Sequence, residues 1–229
     1  MTGYVICATP RSGSTLLCAL LRSSGVAGHP ESWFRAESRV HYARNWGILR
    51  ADGGFDWAQY LRAARVAGRA GGAVLGLRLM WPTMAELASM GLIPALGPLR
   101  FIHLERSDGV AQAVSRLKAE VSGTWHLGFE AADHPVAPHY DFARIKGFGE
   151  EAAADNASWR DYFRHHQITP LHLTYEALAE DPIGVAKQAM RFLGLQPDAP
   201  LTAANRRMAD AVSAEWAQRF RAEAAADGC

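Results

Sequence analysis

The chain is poor in cysteine, lacks long apolar runs and carries almost no net charge. Three cysteines in 229 residues cannot build a disulfide framework, so reduced thiols and a cytoplasmic location are expected. No apolar run reaches the roughly 18 residues of a membrane span, and no leader with an apolar core precedes the first strand-like run. A formal net charge of +1 argues against a nucleic-acid partner or an acidic membrane surface. Any anion site must therefore be built locally.

What remains is the composition of a globular protein. Hydrophobic residues make up 49% and charged residues 21%, and this length favours a single domain over residues 1–229. Strand-like runs alternate with helical patterns, which predicts an α/β fold with a parallel sheet covered by helices on both faces. The predicted strands are Tyr4–Ala8, Ala73–Met80, Arg100–Leu104 and Pro170–Thr174.

Hydrophobic spacing predicts the helices between these strands. They are Asp56–Ala70, Thr83–Met90, Asp108–Val121, Phe148–His166, Tyr175–Leu193 with a break at Asp181-Pro182, and Asn205–Ala226, besides the helix that follows the first strand. Two segments rich in turn residues or lacking periodicity, Ser32–Trp46 and Ser122–Gly149, are expected to be irregular. We expect them to shape the side of the site that receives an acceptor molecule.

The first loop predicts an anion site. The strand Tyr4–Ala8 runs into the small polar segment Thr9–Thr15, and a helical pattern follows directly. Free amides and the positive dipole end of such a helix point into the turn. Arg11 adds a fixed charge, and hydroxyls come from Ser12, Ser14 and Thr15. A phosphate or sulfate group is the expected guest, and a strand-to-helix turn without a ligand is the alternative.

This loop is not a Walker A sequence. That motif begins with a glycine and has a lysine directly after its second glycine, and the segment Ala8–Thr15 contains no lysine. The missing lysine argues against ordinary ATP hydrolysis.

Arg106 and Ser115 form a second group with the same chemistry. Arg106 follows a predicted strand, and Ser115 lies two turns into the next helix. An arginine fork with a hydroxyl can hold a dianionic phosphate, whereas the alternative is a surface pair of Arg106 with Asp108 and an ordinary helix serine. Because ligands of such sheets bind at the carboxyl ends of the strands, Arg11 and Arg106 are expected to share one site.

Together these motifs resemble a known family. The stretches are Pro10–Leu17, Gly25–Pro30, Leu79–Trp81, Ile102–Asp108 and Gln112–Ser115. They look like the bacterial carbohydrate sulfotransferases typified by trehalose 2-sulfotransferase. The resemblance extends from the first strand to Glu215-Trp216, and its most specific parts are Gly25–Phe34 and Leu79–Trp81.

The resemblance implies a P-loop-NTPase-like fold of three layers and a reaction. A sulfuryl group would pass from 3′-phosphoadenosine 5′-phosphosulfate to a hydroxyl of a sugar or glycolipid, without a metal, and the enzyme would be a homodimer. The 5′-phosphosulfate would be held by Arg11, Ser12, Gly13, Ser14 and Thr15, and the 3′-phosphate by Arg106 and Ser115. Arg219 and Arg221 would close over the nucleotide, unless they belong to a solvated helix face.

The catalytic base is where the chain departs from the family pattern. The family's glutamate position is occupied by Ser32, and Glu31 stands one residue earlier. We expect Glu31 to accept the proton of the acceptor hydroxyl, with His29 as the reserve, while Arg11 stabilises the negative charge that develops on the donor phosphate. The alternative is that Glu31 or Ser32 only caps the helix that follows.

Arg78 and four aromatic residues each have two possible roles. Arg78, before Leu79-Met-Trp81, would contact the sulfate or the acceptor, or form an ion pair at a strand end. Four aromatic residues would stack on a sugar ring or belong to the core: Trp33, Phe34, Trp46 and Trp81.

Two other functions use the same features. A small-molecule kinase of this fold would need Mg²⁺ and the missing lysine, and a nucleotide-binding protein without catalysis would follow if the shifted glutamate marks a lost site. The spacing of cysteine and histidine in the sequence predicts no zinc cluster.

Overall fold

A four-stranded parallel sheet forms the centre of the computed structural model, which describes residues 3–123, 138–196, 200–202 and 211–226. The strands are β1 (Gly3–Ala8), β2 (Leu75–Met80), β3 (Leu99–Glu105) and β4 (Leu171–Thr174), in the order β2-β1-β3-β4. All six residues of β1 are buried, as the continuous apolar run requires for a central strand. All four predicted strands are confirmed, within two residues at each end.

Nine α-helices and a short 3-10 helix at Ile93–Leu96 are present in the described ranges. The α-helices are α1 (Ser14–Ser23), α2 (Ala36–Asn45), α3 (Trp57–Arg69), α4 (Trp81–Ser89), α5 (Gly109–Ser122), α6 (Phe142–His165), α7 (Tyr175–Glu180), α8 (Pro182–Leu193) and α9 (Ala211–Ala226). The predicted break at Asp181-Pro182 is confirmed, because the Asp181 carboxylate accepts from the Gly184 amide and caps α8.

Helices cover both faces of the sheet, which confirms the three-layer α/β fold. On one face α1 and α8 pack on Ile6 and Leu104, with Leu17 and Met190 fully buried. On the other face the core around Leu77 contains residues of α3, α4 and α6, including Trp159. The alternation of side chains along β1 supplies both layers from one strand.

The expectation of an irregular segment at Ser32–Trp46 is wrong, because α2 occupies most of it. The buried residues of α2 are only Arg39 and Ala43, so the helix has no apolar stripe that a periodicity search would detect. Instead, Arg39 donates from Nε to the Phe34 carbonyl at 2.8 Å and from Nη1 to Glu86 at 2.7 Å. A charged side chain with a distant partner fixes this helix.

The predicted irregular segment Ser122–Gly149 is also partly helical. Ser122 ends α5, α6 begins at Phe142, and residues 124–137 lie outside the described ranges. Asp141 caps α6 through the Arg144 amide at 3.0 Å, and Ile145 is buried against α5 and α9. Packing on one face overrides the low helix propensity of the glycines that favoured a loop. The final helix is described from Ala211, and the predicted start at Asn205 lies outside the described residues.

None of the helices described is long and apolar enough to cross a membrane.

Candidate active site

The loop between β1 and α1 has the backbone geometry of an anion cradle. Gly13 precedes α1 with φ of 88°, and Arg11 has φ of 65°, an uncommon value for a residue with a side chain. The Leu16 and Leu17 amides both donate to the Gly13 carbonyl, at 3.0 and 3.2 Å. The amides that precede them in the first turn therefore point out of the helix end, where an anion can accept.

Ser12 closes the first loop through two hydrogen bonds to one carbonyl. Its hydroxyl donates to the Thr9 carbonyl at 2.9 Å, and its amide donates to the same carbonyl at 3.3 Å. Both groups close the loop, so Ser12 shapes the cradle, and direct binding of a ligand by Ser12 stays a prediction.

Gln112 is a buried residue of α5 to which the sequence analysis assigned no role. Its side-chain amide donates to the Thr9 hydroxyl at 2.7 Å and to the Pro10 carbonyl at 2.6 Å. These bonds attach the first loop to the helix that carries Ser115. The sequence signal was available, since Gln112 lies in one of the stretches that resemble the family.

The residues predicted to bind the two phosphates contact one another. This is expected, because both loops follow the carboxyl ends of parallel strands. Arg11 Nε donates to the Ser115 hydroxyl at 3.0 Å, and Arg106 Nη1 donates to the Arg11 carbonyl at 3.4 Å. Burial lowers the pKa of Arg11, and the nearby charge of Arg106 lowers it further. Two guanidinium groups that repel each other in a partly buried place favour a bound anion between them.

Tyr175 and Glu176, at the start of α7, contact Arg106 and the two residues that follow it. Its guanidinium carbon lies 4.2 Å from the centre of the Tyr175 ring, a cation–π contact. The Glu176 carboxylate accepts from the Ser107 amide at 3.1 Å and from the Asp108 amide at 3.2 Å. Burial alone would raise the pKa of Glu176, but these amide bonds outweigh it and the pKa is lowered. Tyr175 and Glu176 fix the turn after β3 and were not predicted.

The C-terminal arginines have separate partners. Arg221 on α9 donates to both oxygens of Asp108, at 2.7 and 2.9 Å, two residues after Arg106. Arg219 pairs with Glu223 at 2.7 Å and covers the Tyr140 ring. Of these two arginines, Arg221 is the one that contacts the turn that carries Arg106.

Arg78 joins the predicted base to the first loop. Its Nη2 lies 2.6 Å from Glu31 Oε1, its Nη1 donates to the Thr15 hydroxyl at 2.8 Å, and its Nε donates to the Ser32 hydroxyl at 2.8 Å. The ion-pair reading of Arg78 is therefore confirmed. Because one guanidinium holds Glu31 and Thr15, the carboxylate lies beside the start of α1.

Backbone pairing fixes the position of Glu31. The Arg78 amide donates to the Glu31 carbonyl at 3.1 Å, so residue 31 forms a short bridge to the edge of β2. Gly28 precedes it with φ of 70°, and a Cβ there would lie 2.3 Å from the Val74 carbonyl oxygen. Glycine is required at this close approach.

His29 is less well placed than Glu31 to act as the catalytic base. Its ring contacts the Trp33 ring edge-on, with centroids 5.0 Å apart, and its amide donates to the Gly68 carbonyl at 2.8 Å. Burial lowers the pKa of His29, the charge of Arg22 lowers it further, and the charge of Glu31 opposes both. The described contacts do not connect the ring to either anion loop.

The aromatic candidates divide into two groups. Phe34 is fully buried and Trp33 is 7% exposed, so both belong to the core and offer no face to a sugar. Trp46 and Trp81 are partly buried at the edge of the same core.

Comparisons with known proteins show the family of this chain. The sequence model of the Stf0 sulphotransferase family matches residues 3–223. The trehalose 2-sulfotransferase of Mycolicibacterium smegmatis is 29% identical over 263 aligned positions, covering 99% of this chain and 97% of that protein. The trehalose 2-sulfotransferase of Mycobacterium tuberculosis is 27% identical and covers 96% of this chain and 95% of its own. A crystal structure of a sulfotransferase from Alicyclobacillus acidocaldarius has the same fold, with a TM-score of 0.52, 15% identity, and coverage of 96% of this chain and 91% of that one.

Proposed function

The chain belongs to the Stf0 sulphotransferase family, and on that premise we propose that it moves a sulfuryl group from 3′-phosphoadenosine 5′-phosphosulfate to a hydroxyl of a sugar, free or in a glycolipid. The observation that carries the proposal is the contact between the two anion loops. Arg11 bonds to Ser115 and Arg106 bonds to the Arg11 backbone, so the two phosphate groups of one nucleotide can be held at once. A nucleotide with phosphates at both ends of its ribose matches this arrangement.

The first loop would bind the 5′-phosphosulfate. The outward amides of Gly13, Ser14 and Thr15 and the charge of Arg11 surround the place where negative charge grows as the sulfur–oxygen bond breaks. Ser12 contributes by closing the loop on Thr9. The second loop, with Arg106 and Ser115, would bind the 3′-phosphate.

Glu31 would accept the proton of the acceptor hydroxyl. Arg78 and the Ser32 amide both donate to Oε1 of this carboxylate, at 2.6 and 2.7 Å. Within the described residues Oε2 has no such donor and is the oxygen open to a substrate proton. The Glu31 side chain is 35% exposed, and it is tied through Arg78 to Thr15, so it faces the end of the loop where sulfur would lie. The proton moves from the sugar hydroxyl to Oε2 as the hydroxyl oxygen bonds to sulfur and the donor phosphate leaves.

The names of the relatives support a sugar acceptor. Both act on trehalose by name and align along nearly their whole length. The described residues 138–149, which include the start of α6, would lie on the acceptor side.

Three further points belong to the proposal. We propose one domain over residues 1–229, because α9 packs back on α5 beside the sheet. A cytoplasmic location fits the two buried free thiols, Cys7 and Cys18. A homodimer rests on the family resemblance alone.

The experiment is a transfer assay with a panel of acceptors. The purified chain is incubated with donor labelled in the sulfuryl group and with trehalose, glucose, maltose and a trehalose glycolipid, without added metal. We expect label on at least one sugar, identified by mass. Donor binding without transfer to any of them would favour a protein that only binds the nucleotide, and no donor binding would overturn the proposal.

A further inference from the structure

Two histidines and a glutamate meet at the carboxyl ends of β3 and β4, next to the second anion loop. They are His103 and Glu105 on β3 and His172 on β4, and their ligand atoms all lie within 4.8 Å of one another. His103 and Glu105 are two residues apart and so share one face of the strand, while His172 is the register partner of His103. The parallel register thus creates a cluster that the sequence spacing hides.

His103 is the buried member of this cluster. The residue is 1% exposed and packs edge-on against Phe163, with ring centroids 5.4 Å apart. Its buried Nε2 makes no hydrogen bond of regular geometry among the described residues; the buried Asn156 side chain lies beside the ring, and Glu105 Oε1 lies 3.8 Å away. Leaving a buried imidazole nitrogen without a partner costs free energy, so a group that binds there is stabilising.

The ion pairs that Glu105 forms with His172 and Arg160 do not give His103 Nε2 a hydrogen bond. His172 Nε2 lies 2.6 Å from Glu105 Oε2, and Arg160 lies 2.5 Å from Glu105 Oε1. These contacts satisfy the carboxylate and His172 but leave His103 Nε2 as it is.

We propose that His103, Glu105 and His172 bind a zinc ion. Two imidazole nitrogens and one carboxylate are a known zinc ligand set, with water in the fourth position. Ligands at about 2.1 Å from a tetrahedral ion lie about 3.4 Å apart, so the present separations need to change by about 1.5 Å or less. One Glu105 oxygen suffices for the ion, and the other keeps Arg160 as an outer partner that orients the carboxylate.

The ion would lie where β3 and β4 end, beside the second anion loop. Glu105 is the last residue of β3 and is followed directly by Arg106, whose fork would hold the 3′-phosphate. An ion at this point would tie β3 to β4 where the turn to α5 begins. His172 is 54% exposed, which gives the ion an entry path from solvent.

The first test measures zinc binding by the full chain. The protein is stripped with a chelator, dialysed, and titrated with Zn²⁺ against a chromophoric zinc indicator, and separately with Co²⁺. We expect one zinc per chain, with a dissociation constant of about 1 μM or tighter, and a visible cobalt absorption band of a four-coordinate site. No competition with the indicator, or no cobalt band, would overturn the proposal.

Variants then assign the ligands. His172→Gln and Glu105→Gln are expected to weaken zinc binding by at least ~10-fold and to lose the cobalt band, with melting temperature and circular dichroism as checks on folding. His41→Gln is the matched control, because His41 is an exposed histidine on α2 outside the cluster. Wild-type zinc affinity in both ligand variants, or an equal loss in His41→Gln, would show that zinc binds elsewhere on the surface. All of these readouts are independent of sulfuryl transfer.

Discussion

Arg11 and Ser115 are 104 residues apart in the chain, and a hydrogen bond of 3.0 Å joins them. The bond connects the loop that follows β1 to the helix that follows β3. Because parallel neighbouring strands bring their carboxyl ends to one edge, the fold turns two sequence motifs into one site. Each of the two loops supplies a guanidinium group, which makes the site suitable for a ligand with two anionic groups.

Arg106→Ala tests the second loop. Hydrogen bonds to charged groups contribute about 1.5–3 kcal/mol, so the affinity for 3′,5′-ADP should fall roughly 10- to 100-fold. The affinity for 5′-AMP should stay as in the wild type, because that nucleotide lacks the 3′-phosphate. Calorimetric titration of both nucleotides measures the difference.

The matched control for this variant is Arg116→Ala. Arg116 follows Ser115 on α5 but pairs with Glu120 and Glu151. Its loss should leave both nucleotide affinities unchanged. Equal affinity of wild type and Arg106→Ala for 3′,5′-ADP would refute the assignment of the 3′-phosphate.

Gly13→Ala tests the cradle of the first loop. With φ of 88°, a Cβ at this position would lie 2.8 Å from the Tyr175 ring. The loop must shift, so we expect loss of donor binding of at least ~10-fold, beyond the backbone cost of about 1–2 kcal/mol. Titration with 3′,5′-ADP and a thermal melt measure the two effects.

Gly25→Ala separates the two causes. Gly25 also has a positive φ, 70°, but a Cβ there would meet nothing within 4 Å. This variant should lose stability and keep its nucleotide affinity. If Gly13→Ala behaves like Gly25→Ala, the first loop is not the binding site.

Arg78→Lys tests the connection between base and loop. Lysine keeps the charge but cannot bond three separate acceptors in a plane, so Glu31, Ser32 and Thr15 lose their common partner. A displaced catalytic group should lower kcat by about 10- to 100-fold, with the donor KM nearly unchanged. Steady-state kinetics should show no such loss for Arg35→Lys, whose exposed side chain pairs with Glu37. Wild-type turnover in Arg78→Lys would exclude a positioning role.

Asp108→Asn tests the attachment of α9 as a function of pH. Burial would raise the pKa of Asp108, but the bonds from the Ala111 amide and Arg221 outweigh it and lower the pKa. A lowered folded-state pKa means that the carboxylate stabilises the fold above its unfolded pKa of about 3.9, and that this stability disappears as the pH falls through the folded value.

The expected difference is small because the pair is half exposed. Asparagine also caps helices well, so the variant removes the charge and little else. At pH 7 the free energy of unfolding should fall by about 0.5–1 kcal/mol, and near pH 2 the two proteins should be equal. Urea unfolding at both values measures this, and a difference that persists in acid would contradict the ion-pair explanation.

Patterns within one segment predicted the four strands and placed Arg11, Arg106 and Ser115 at the carboxyl end of the sheet, where hydrogen bonds join Arg11 to the other two residues. That these residues bind phosphate stays a prediction. The features that the sequence did not predict depend on residues that are far apart in the chain. Helix α2 is fixed by Arg39 and Glu86, 47 residues apart, and the start of α6 by packing that outweighs its glycines. The role of Arg78 as a link between Glu31 and Thr15, and the pairing of His103 with His172, become visible only with the strand register.

The rate of sulfuryl transfer by Glu31→Gln tests the central claim most directly. With labelled donor and a sugar that accepts label in the acceptor panel, we expect wild-type transfer to be measurable and the variant to be slower by about 10²- to 10⁴-fold, since glutamine cannot accept the proton. The variant should still bind 3′,5′-ADP like the wild type, and Glu37→Gln and His29→Gln should transfer at the wild-type rate. Undiminished transfer by Glu31→Gln, or no transfer to any sugar by the wild type, would contradict the account.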